Sequence, residues 1–328
     1  MKTVVIIGGG TATFTLLKGL RQFPTNNIVI VSTADDGGSA GRLRTELEIM
    51  PMGDIRQCLI GLSYTVPALQ ALFNYRFDRG SLRGHSAGNI ILAALQKITG
   101  TPEGAIAEAA RLLNVRGEVL FASKQPTKLS ARLKDGTRIS SEHELDEPKG
   151  KRAPIERITL SSSQANPRAI DAIGRADAVV LGPGDLFTST LPNLLVPGIS
   201  EAIAASPAKK ILITNLMTKL GQTDGYQASD FLRVANEYLR TKNGGGIIDT
   251  VIVNTKRPKP DVIKRYRKAR AIFVRPDIEI MKKTGVTVVA KNLLANRVYK
   301  KTKGDVLQRS LVRHDAEKTA EIIWNLIK

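Results

Sequence analysis

Short apolar runs recur along the chain. Five of them end in glycines or small polar residues that lead into a helical pattern. Residues 4–7 (VVII) meet Gly8, Gly9, Gly10 and Thr11, and residues 28–31 (IVIV) meet Ser32, Thr33, Ala34, Asp35 and Asp36. Residues 178–181 (AVVL) meet Gly182, Pro183, Gly184 and Asp185. Residues 211–213 (ILI) meet Thr214 and Asn215, and residues 251–253 (VIV) meet Asn254 and Thr255. Unbroken β-branched runs of this length suit strands buried on both faces.

Helical periodicity fills the intervals. It predicts helices over 15–22, 54–62, 87–98, 102–114, 166–176, 227–241 and 314–328. Pro102 fits a first turn. Asp54 is placed to cap its helix or to complement its dipole, and Asp315 to cap the last helix. Strands alternating with helices give an α/β fold with a doubly wound, mostly parallel sheet. Ligands of such sheets sit outside the carboxyl ends of the strands. That rule gathers Thr11, Asp35, Asp36, Pro183, Gly184, Asn215 and Asn254 along one edge.

Residues 115–160 change period. They alternate, carry an Asp135-Gly136 hairpin signal, and read as an antiparallel β insertion. Residues 146–154 (DEPKGKRAP) read as a charged surface loop. With no repeat and no linker, residues 1–328 form one domain carrying an insertion at about 115–160.

Composition narrows the class. At 42% hydrophobic and 24% charged residues, the chain can build a full core. Its one cysteine, Cys58, excludes an internal disulfide and reads as a small buried hydrophobe. The apolar run before Gly8 is too short for a signal peptide, and no run reaches a membrane span. A cytoplasmic protein is expected. The net charge of +19 admits polyanionic partners. Residues 256–283 hold eleven Lys/Arg against three Asp/Glu, but no nucleic-acid motif accompanies them. A solvated basic face is therefore favoured over RNA or membrane-surface binding.

The candidate chemistry lies at the strand ends. Gly8 and Gly10 fit the first two glycines of a dinucleotide fingerprint, but Thr13 stands where the third belongs. The turn still suits an anion, with hydroxyls from Thr11 and Thr13 at a helix start. Asp35 and Asp36 could hold ribose hydroxyls or a Mg²⁺ against phosphates, and Arg42 and Arg44 could pair with phosphate. His85, Ser86 and Asn89 precede a helix. The spacing G-H-S-A-G matches a nucleophile elbow, but no buried strand feeds it. His143 falls in the charged insertion and is expected to be exposed. Gly182 and Gly184 frame a rigid turn followed by Thr188, Ser189 and Thr190.

Seven segments, GGGT, ADDGGSAGRLR, PMGDIRQCL, LFNYRF, GHSAGNIILAAL, LGPGDLFTSTLPNLLVPGI and VRHD, occur in an order that resembles the YvcK-like proteins. These are the gluconeogenesis factors, also called GlmR, and they share a superfamily with CofD, the 2-phospho-lactate transferase. The resemblance runs from Gly8 to the last helix. It implies a Rossmann-like sheet and a site for a uridine nucleotide sugar such as UDP-N-acetylglucosamine. It also implies a cytoplasmic regulatory role linking carbon metabolism to cell-wall precursor supply and cell shape, with protein partners in that synthesis. In that branch the arginine of the terminal motif is tied to sugar-nucleotide binding, here Arg313, and Tyr266 matches a further tyrosine.

CofD-like relatives instead transfer a phospholactyl group with Mg²⁺. A phosphoryl or nucleotidyl transferase on the same site, with Mg²⁺ at Asp35 and Asp36, is the alternative. Homodimers are the default oligomer. Several positions depart from the family pattern. Ala12 replaces a glycine, and Asp185 and Phe187 replace the Ser and Tyr of GPGSLYTS. NLMTKLGQTDGY replaces NVMTQPGETDGY, and Phe231 stands where His is common.

Overall fold

A computed structural model describes residues 1–239, 246–299 and 310–328. Among the described residues, seven strands form a parallel sheet. In chain order they are β1 (Lys2–Ile7), β2 (Thr25–Val31), β3 (Glu118–Phe121), β7 (Ala178–Leu181), β8 (Lys209–Ile213), β9 (Thr250–Asn254) and β10 (Thr287–Lys291). Across the sheet the order is β10-β9-β8-β7-β1-β2-β3. The order reverses beside β1, so the first glycine turn opens at the switch point where such sheets take ligands. The expected fold class is therefore observed, and all five apolar runs are central strands.

Two strands escaped the sequence reading. Glu118–Phe121 had been placed in the insertion, yet it pairs with β2 as an edge of the main sheet. Its Val119, Leu120 and Phe121 are all buried, so it is a strand covered on both faces rather than an arm of a hairpin. Thr287–Lys291 is the opposite edge, and its half-exposed side chains explain the weak apolar signal. The antiparallel sheet is smaller than expected: β4 (Leu129–Leu133), β5 (Arg138–Ile139) and β6 (Ile155–Leu160) in the order β5-β4-β6. Asp135-Gly136 does turn it, with Gly136 at φ 87° and Asp135 accepting from the Thr137 amide.

Side chains alternate across each main strand and build a core on both faces. Val4, Ile6, Val29, Val31, Val180 and Ile252 pack with helices Gly10–Leu20, Gly53–Leu62 and Ala316–Ile327. Val5, Ile7, Ile28, Ile30, Val179 and Val251 pack with helices Pro167–Gly174, Ile199–Ala205 and Ala228–Tyr238. Of the helix expected over 227–241, residues 240 and 241 lie outside the described residues. Cys58 is buried, and burial pushes its thiol pKa well up, so it behaves as a hydrophobe. Asp315 caps the last helix through the Lys318 amide at 3.2 Å. No helix of the described residues is long and apolar enough to cross a membrane.

Candidate functional site

Two glycine turns meet at the carboxyl edge. Gly8, at φ 151°, has room for a Cβ only 3.3 Å from Thr13 Oγ1 and 3.8 Å from Gly182 Cα. Thr13 Oγ1 donates to the Pro183 carbonyl at 3.1 Å, across a cis Gly182-Pro183 peptide. Asn215 Nδ2 donates to the Gly184 carbonyl at 2.9 Å. The ends of β1, β7 and β8 are thereby stitched into one platform. Thr13, expected to offer its hydroxyl to an anion, spends it on this link. Gly10 is half-exposed at the turn, whereas Gly8 and Gly9 are buried.

Asp54 reaches this corner from the start of helix Gly53–Leu62. Its Oδ2 lies 1.8 Å from where a Cβ on Gly9 would stand. Gly9 is the N-cap of helix Gly10–Leu20, and that helix has neither a side-chain cap nor an acid in its first turn. Asp54 thus brings a carboxylate to the positive end of a neighbouring helix, where the dipole favours it. Of its two expected roles on its own helix, the side-chain cap does not form, while Asp54 does stand in that helix's first turn, where it complements the dipole.

The second carboxylate group surrounds Gly37. The Asp35 Oδ1 and Glu142 Oε2 atoms each lie 3.6 Å from the Cβ position of Gly37, with His143 Nδ1 at 3.4 Å. Asp35 Oδ1 accepts from the Gly37 amide at 3.0 Å, and Asp36 Oδ1 accepts from the His143 amide at 2.8 Å. Burial, then Asp54, then Asp36 and Asp146 push the Asp35 pKa to about 7 against the pull of the Gly37 amide. Burial and the charges of Asp35, Asp146 and Asp36 push Glu142 well above the usual carboxylate range. Like charges this close share protons rather than ionise together.

Glu142 belongs to a short helix, Glu142–Asp146, within the insertion. Nothing in the alternating pattern announced that it folds back over Asp35. His143 itself is exposed, as expected.

Lys219 ties that helix to the platform. Its Nζ donates to Asp185 Oδ2 at 2.7 Å and to Asp146 Oδ1. Thr188 Oγ1 and Gln222 Nε2 donate to the same Asp146 oxygen at 3.0 and 3.2 Å. Burial opposes the Lys219 charge, but Asp185 and Asp146 together raise its pKa. Burial raises Asp146, and Lys219 with the two neutral donors pulls it below the usual range. Asp185 stays raised by burial, because one ammonium serves both acids and Asp146 has the extra donors. Three departures from the resembled pattern, Asp185, Lys219 and Gln222, therefore fall in one contact group. Phe187 and Phe231, by contrast, are buried in the core, so neither side chain faces the strand edge.

The GHSAG segment is not a nucleophile elbow. Ser86 caps helix Ala87–Thr99 through the Asn89 amide at 3.2 Å. His85 pairs instead with Ser39, Nδ1 to Oγ 3.2 Å. Ser39 Oγ also accepts from Asn89 Nδ2 at 3.1 Å and from the Ser86 amide at 3.4 Å, so its own proton points to His85 Nδ1. Asn89 Oδ1 accepts from Arg56 Nε at 2.8 Å. Arg42 donates to the Arg83 carbonyl at 3.0 Å and Arg44 to the Thr33, Asp35 and Thr127 carbonyls.

The terminal motif closes the edge from the other side. His314 Nε2 bonds the Thr214 carbonyl at 3.1 Å, just beyond β8. Burial drives its pKa down to about 4, so the neutral ring donates. The Arg313 guanidinium stacks on Tyr299, Cζ 3.7 Å from the ring centre. Burial first, then the charges of Arg21 and Arg313, lower the Lys18 pKa, which sets a second cation beside this arm. Tyr266 accepts from the Leu311 and Val312 amides at 2.8 and 3.2 Å and so positions the arm. Asn254 is spent on Lys256 and the Leu293 amide.

The edge is thus acidic around Asp35, Asp36, Asp54 and Glu142 and basic at Arg313, with Lys18 two turns further along helix Gly10–Leu20. Carboxylates accept from hydroxyls, and a guanidinium suits phosphate. Among the described residues no group of three or more His, Cys, Asp or Glu is arranged to hold a metal ion. Asp35 and Asp36 also each give an oxygen to a backbone amide.

Residues 4–294 match the family model described as 2-phospho-L-lactate transferase CofD. The chain is 42% identical to the gluconeogenesis factor of Halalkalibacterium halodurans over 98% of this chain and 95% of that one. It is 42% identical to the gluconeogenesis factor of Bacillus subtilis over 99% and 98%. A crystal structure of a Bacillus halodurans protein superimposes with a TM-score of 0.89 at 40% identity, covering 98% of this chain and 99% of that one.

Proposed function

The chain belongs to the CofD family and is similar throughout to gluconeogenesis factors, and from that premise we propose that it is a regulatory protein that binds a nucleotide sugar of the UDP-N-acetylglucosamine kind. In this reading the diphosphate lies between the Gly182–Gly184 turn, Thr11 and Arg313. The ribose and sugar hydroxyls face Asp35, Asp36 and Asp54. Gly10 keeps the backbone bare beneath them, and Gly9 leaves the room that Asp54 fills. The role is cytoplasmic and links carbon metabolism to cell-wall precursor supply and cell shape, through protein partners and as a homo-oligomer.

The observation that carries the reading is the edge's polarity: hydroxyl-accepting acids on one flank and the Arg313 arm on the other, with the stitched glycine turns between them. Calorimetry with UDP-N-acetylglucosamine tests it. Binding that Arg313→Ala weakens supports it, and no uridine or guanosine nucleotide binding would sink it.

The raised pKa of Asp35 favours a second reading. A carboxyl that titrates near neutrality is suited to proton transfer, as a phosphoryl or nucleotidyl transferase on this site would require. Turnover lost in Asp35→Asn with nucleotide binding retained would support it. The same assay with and without Mg²⁺ tests whether an ion arrives with the phosphates.

A further inference from the structure

The basic segment 256–283 leads away from the strand edge to a separate cavity. Residues 271–274 run back alongside the chain beyond β8, with Thr218 and Val274 amides bonding the Ile272 and Leu216 carbonyls at 2.8 and 3.1 Å. On their outer side lies a cavity of about 630 Å³ lined in part by Arg257, Arg267 and Arg275. These arginines come from the loop after β9, from helix Pro260–Lys268, and from the segment after it. All three are exposed, and no ion pair or side-chain hydrogen bond joins any of them to the described residues.

The floor is different in kind. Ile263, Ile272 and Phe273 form it, and Ile272 is left 47% exposed. The acid that lines this cavity, Asp277, has both oxygens committed to Ser229, one to its amide at 2.9 Å and one to its hydroxyl. Three guanidinium groups converge here on apolar surface with no free carboxylate among them. Such convergence raises the local potential and draws in anions. The volume is that of a small-molecule site, mostly apolar with a few polar groups that set orientation.

We infer that this cavity binds a small phosphorylated ligand with a flat apolar part, of the nucleoside diphosphate class. The phosphates meet Arg257, Arg267 and Arg275, and the flat part lies on Phe273 and Ile272. The site is distinct from the strand edge. None of the strand-edge residues lines it, and its Ile263 belongs to a small apolar cluster with Leu216, Met217, Val262 and Val312. The apolar floor favours such a ligand over RNA, which the same charges could otherwise attract by its backbone alone.

The test is calorimetric titration of the full chain with ADP, with inorganic pyrophosphate and with a single-stranded RNA oligomer. The chain binds ADP. The triple variant Arg257→Gln/Arg267→Gln/Arg275→Gln weakens that event by roughly tenfold or more, as loss of charged hydrogen bonds to phosphate requires. Its thermal midpoint is unchanged, since the three side chains are exposed. Arg313→Ala retains the event, and pyrophosphate binds more weakly than ADP because it misses the floor. The inference is overturned if ADP does not bind, if the triple variant binds ADP unchanged, or if Arg313→Ala removes the event. It is equally overturned if pyrophosphate matches ADP, or if RNA displaces ADP and is itself lost in the triple variant.

Discussion

The Oδ2 atom of Asp54 lies 1.8 Å from the point where a Cβ on Gly9 would stand, and its Cγ lies 2.5 Å away. Two residues from separate helices thus share one space, and the bare backbone of one is the condition for the charge of the other. Gly9 is extended, at φ −154°, so an alanine would fit the backbone and fail only on the contact. Gly9→Ala is expected to cost about 1–3 kcal/mol, the usual range for overpacking, read as a loss in denaturant midpoint. Adding Asp54→Ala recovers part of it. The rescue is incomplete because the Asp54 Cβ remains 3.0 Å from the new methyl. A Gly9→Ala variant as stable as the parent would show that Asp54 does not sit there.

The Asp35 carboxyl titrates near pH 7 rather than at its ordinary 3.8, through burial and then the charge of Asp54. The folded state therefore holds a proton that the unfolded state has released, and stability falls as pH rises from about 4 to about 7. Asp35→Asn removes this dependence and keeps an acceptor for the Gly37 amide. The thermal midpoint of the variant relative to the parent rises across that window and is flat above it. A difference independent of pH would contradict the assignment.

The strand ends were legible because buried parallel strands write continuous apolar runs. Val4–Ile7 and Ile28–Val31 announced both their own burial and the turns that follow. The edge strand Thr287–Lys291 was not, because both its faces are half-exposed and its apolar stretch is only three residues long. Asp35, Gly184 and Asn215 could be grouped from topology alone. Glu142 and Lys219 could not. Their place depends on a tertiary fold-back of the insertion, and a charged loop such as 146–154 gives no sign that its first residue, Asp146, is bound by three donors. Spacing likewise suggested His85 beside Ser86, whereas the fold pairs it with Ser39, 46 residues away.

Asp185 and Lys219 replace Ser and Gln of the resembled pattern and bond each other at 2.7 Å. Removing either alone leaves charge uncompensated in a half-buried site. Lys219→Gln is expected to cost more than Asp185→Ser, because it strands two carboxylates. The double variant should be less damaged than the sum of the singles, with a coupling of about 1–2 kcal/mol, within the range for contacting charged residues. Denaturant unfolding of the four proteins checks it, and strict additivity would mean that the pair does not interact.

His314 supplies the opposite pH dependence to Asp35. Burial holds its folded pKa at about 4, below the ordinary 6.5. The unfolded state therefore takes up a proton that the folded state refuses, and stability is lost as pH falls from about 6.5 to about 4. His314→Gln keeps a donor for the Thr214 carbonyl and removes the titration. The variant should resist acid better than the parent does, measured against its own midpoint at neutral pH. Because the two windows overlap with opposite sign, the parent conceals both. Asp35→Asn alone should tilt the stability profile so that it falls on acidification, and His314→Gln alone should tilt it so that it falls toward neutrality. The double variant should lie close to the parent in slope. If both single variants tilt the profile in the same direction, one of the two buried environments is assigned wrongly.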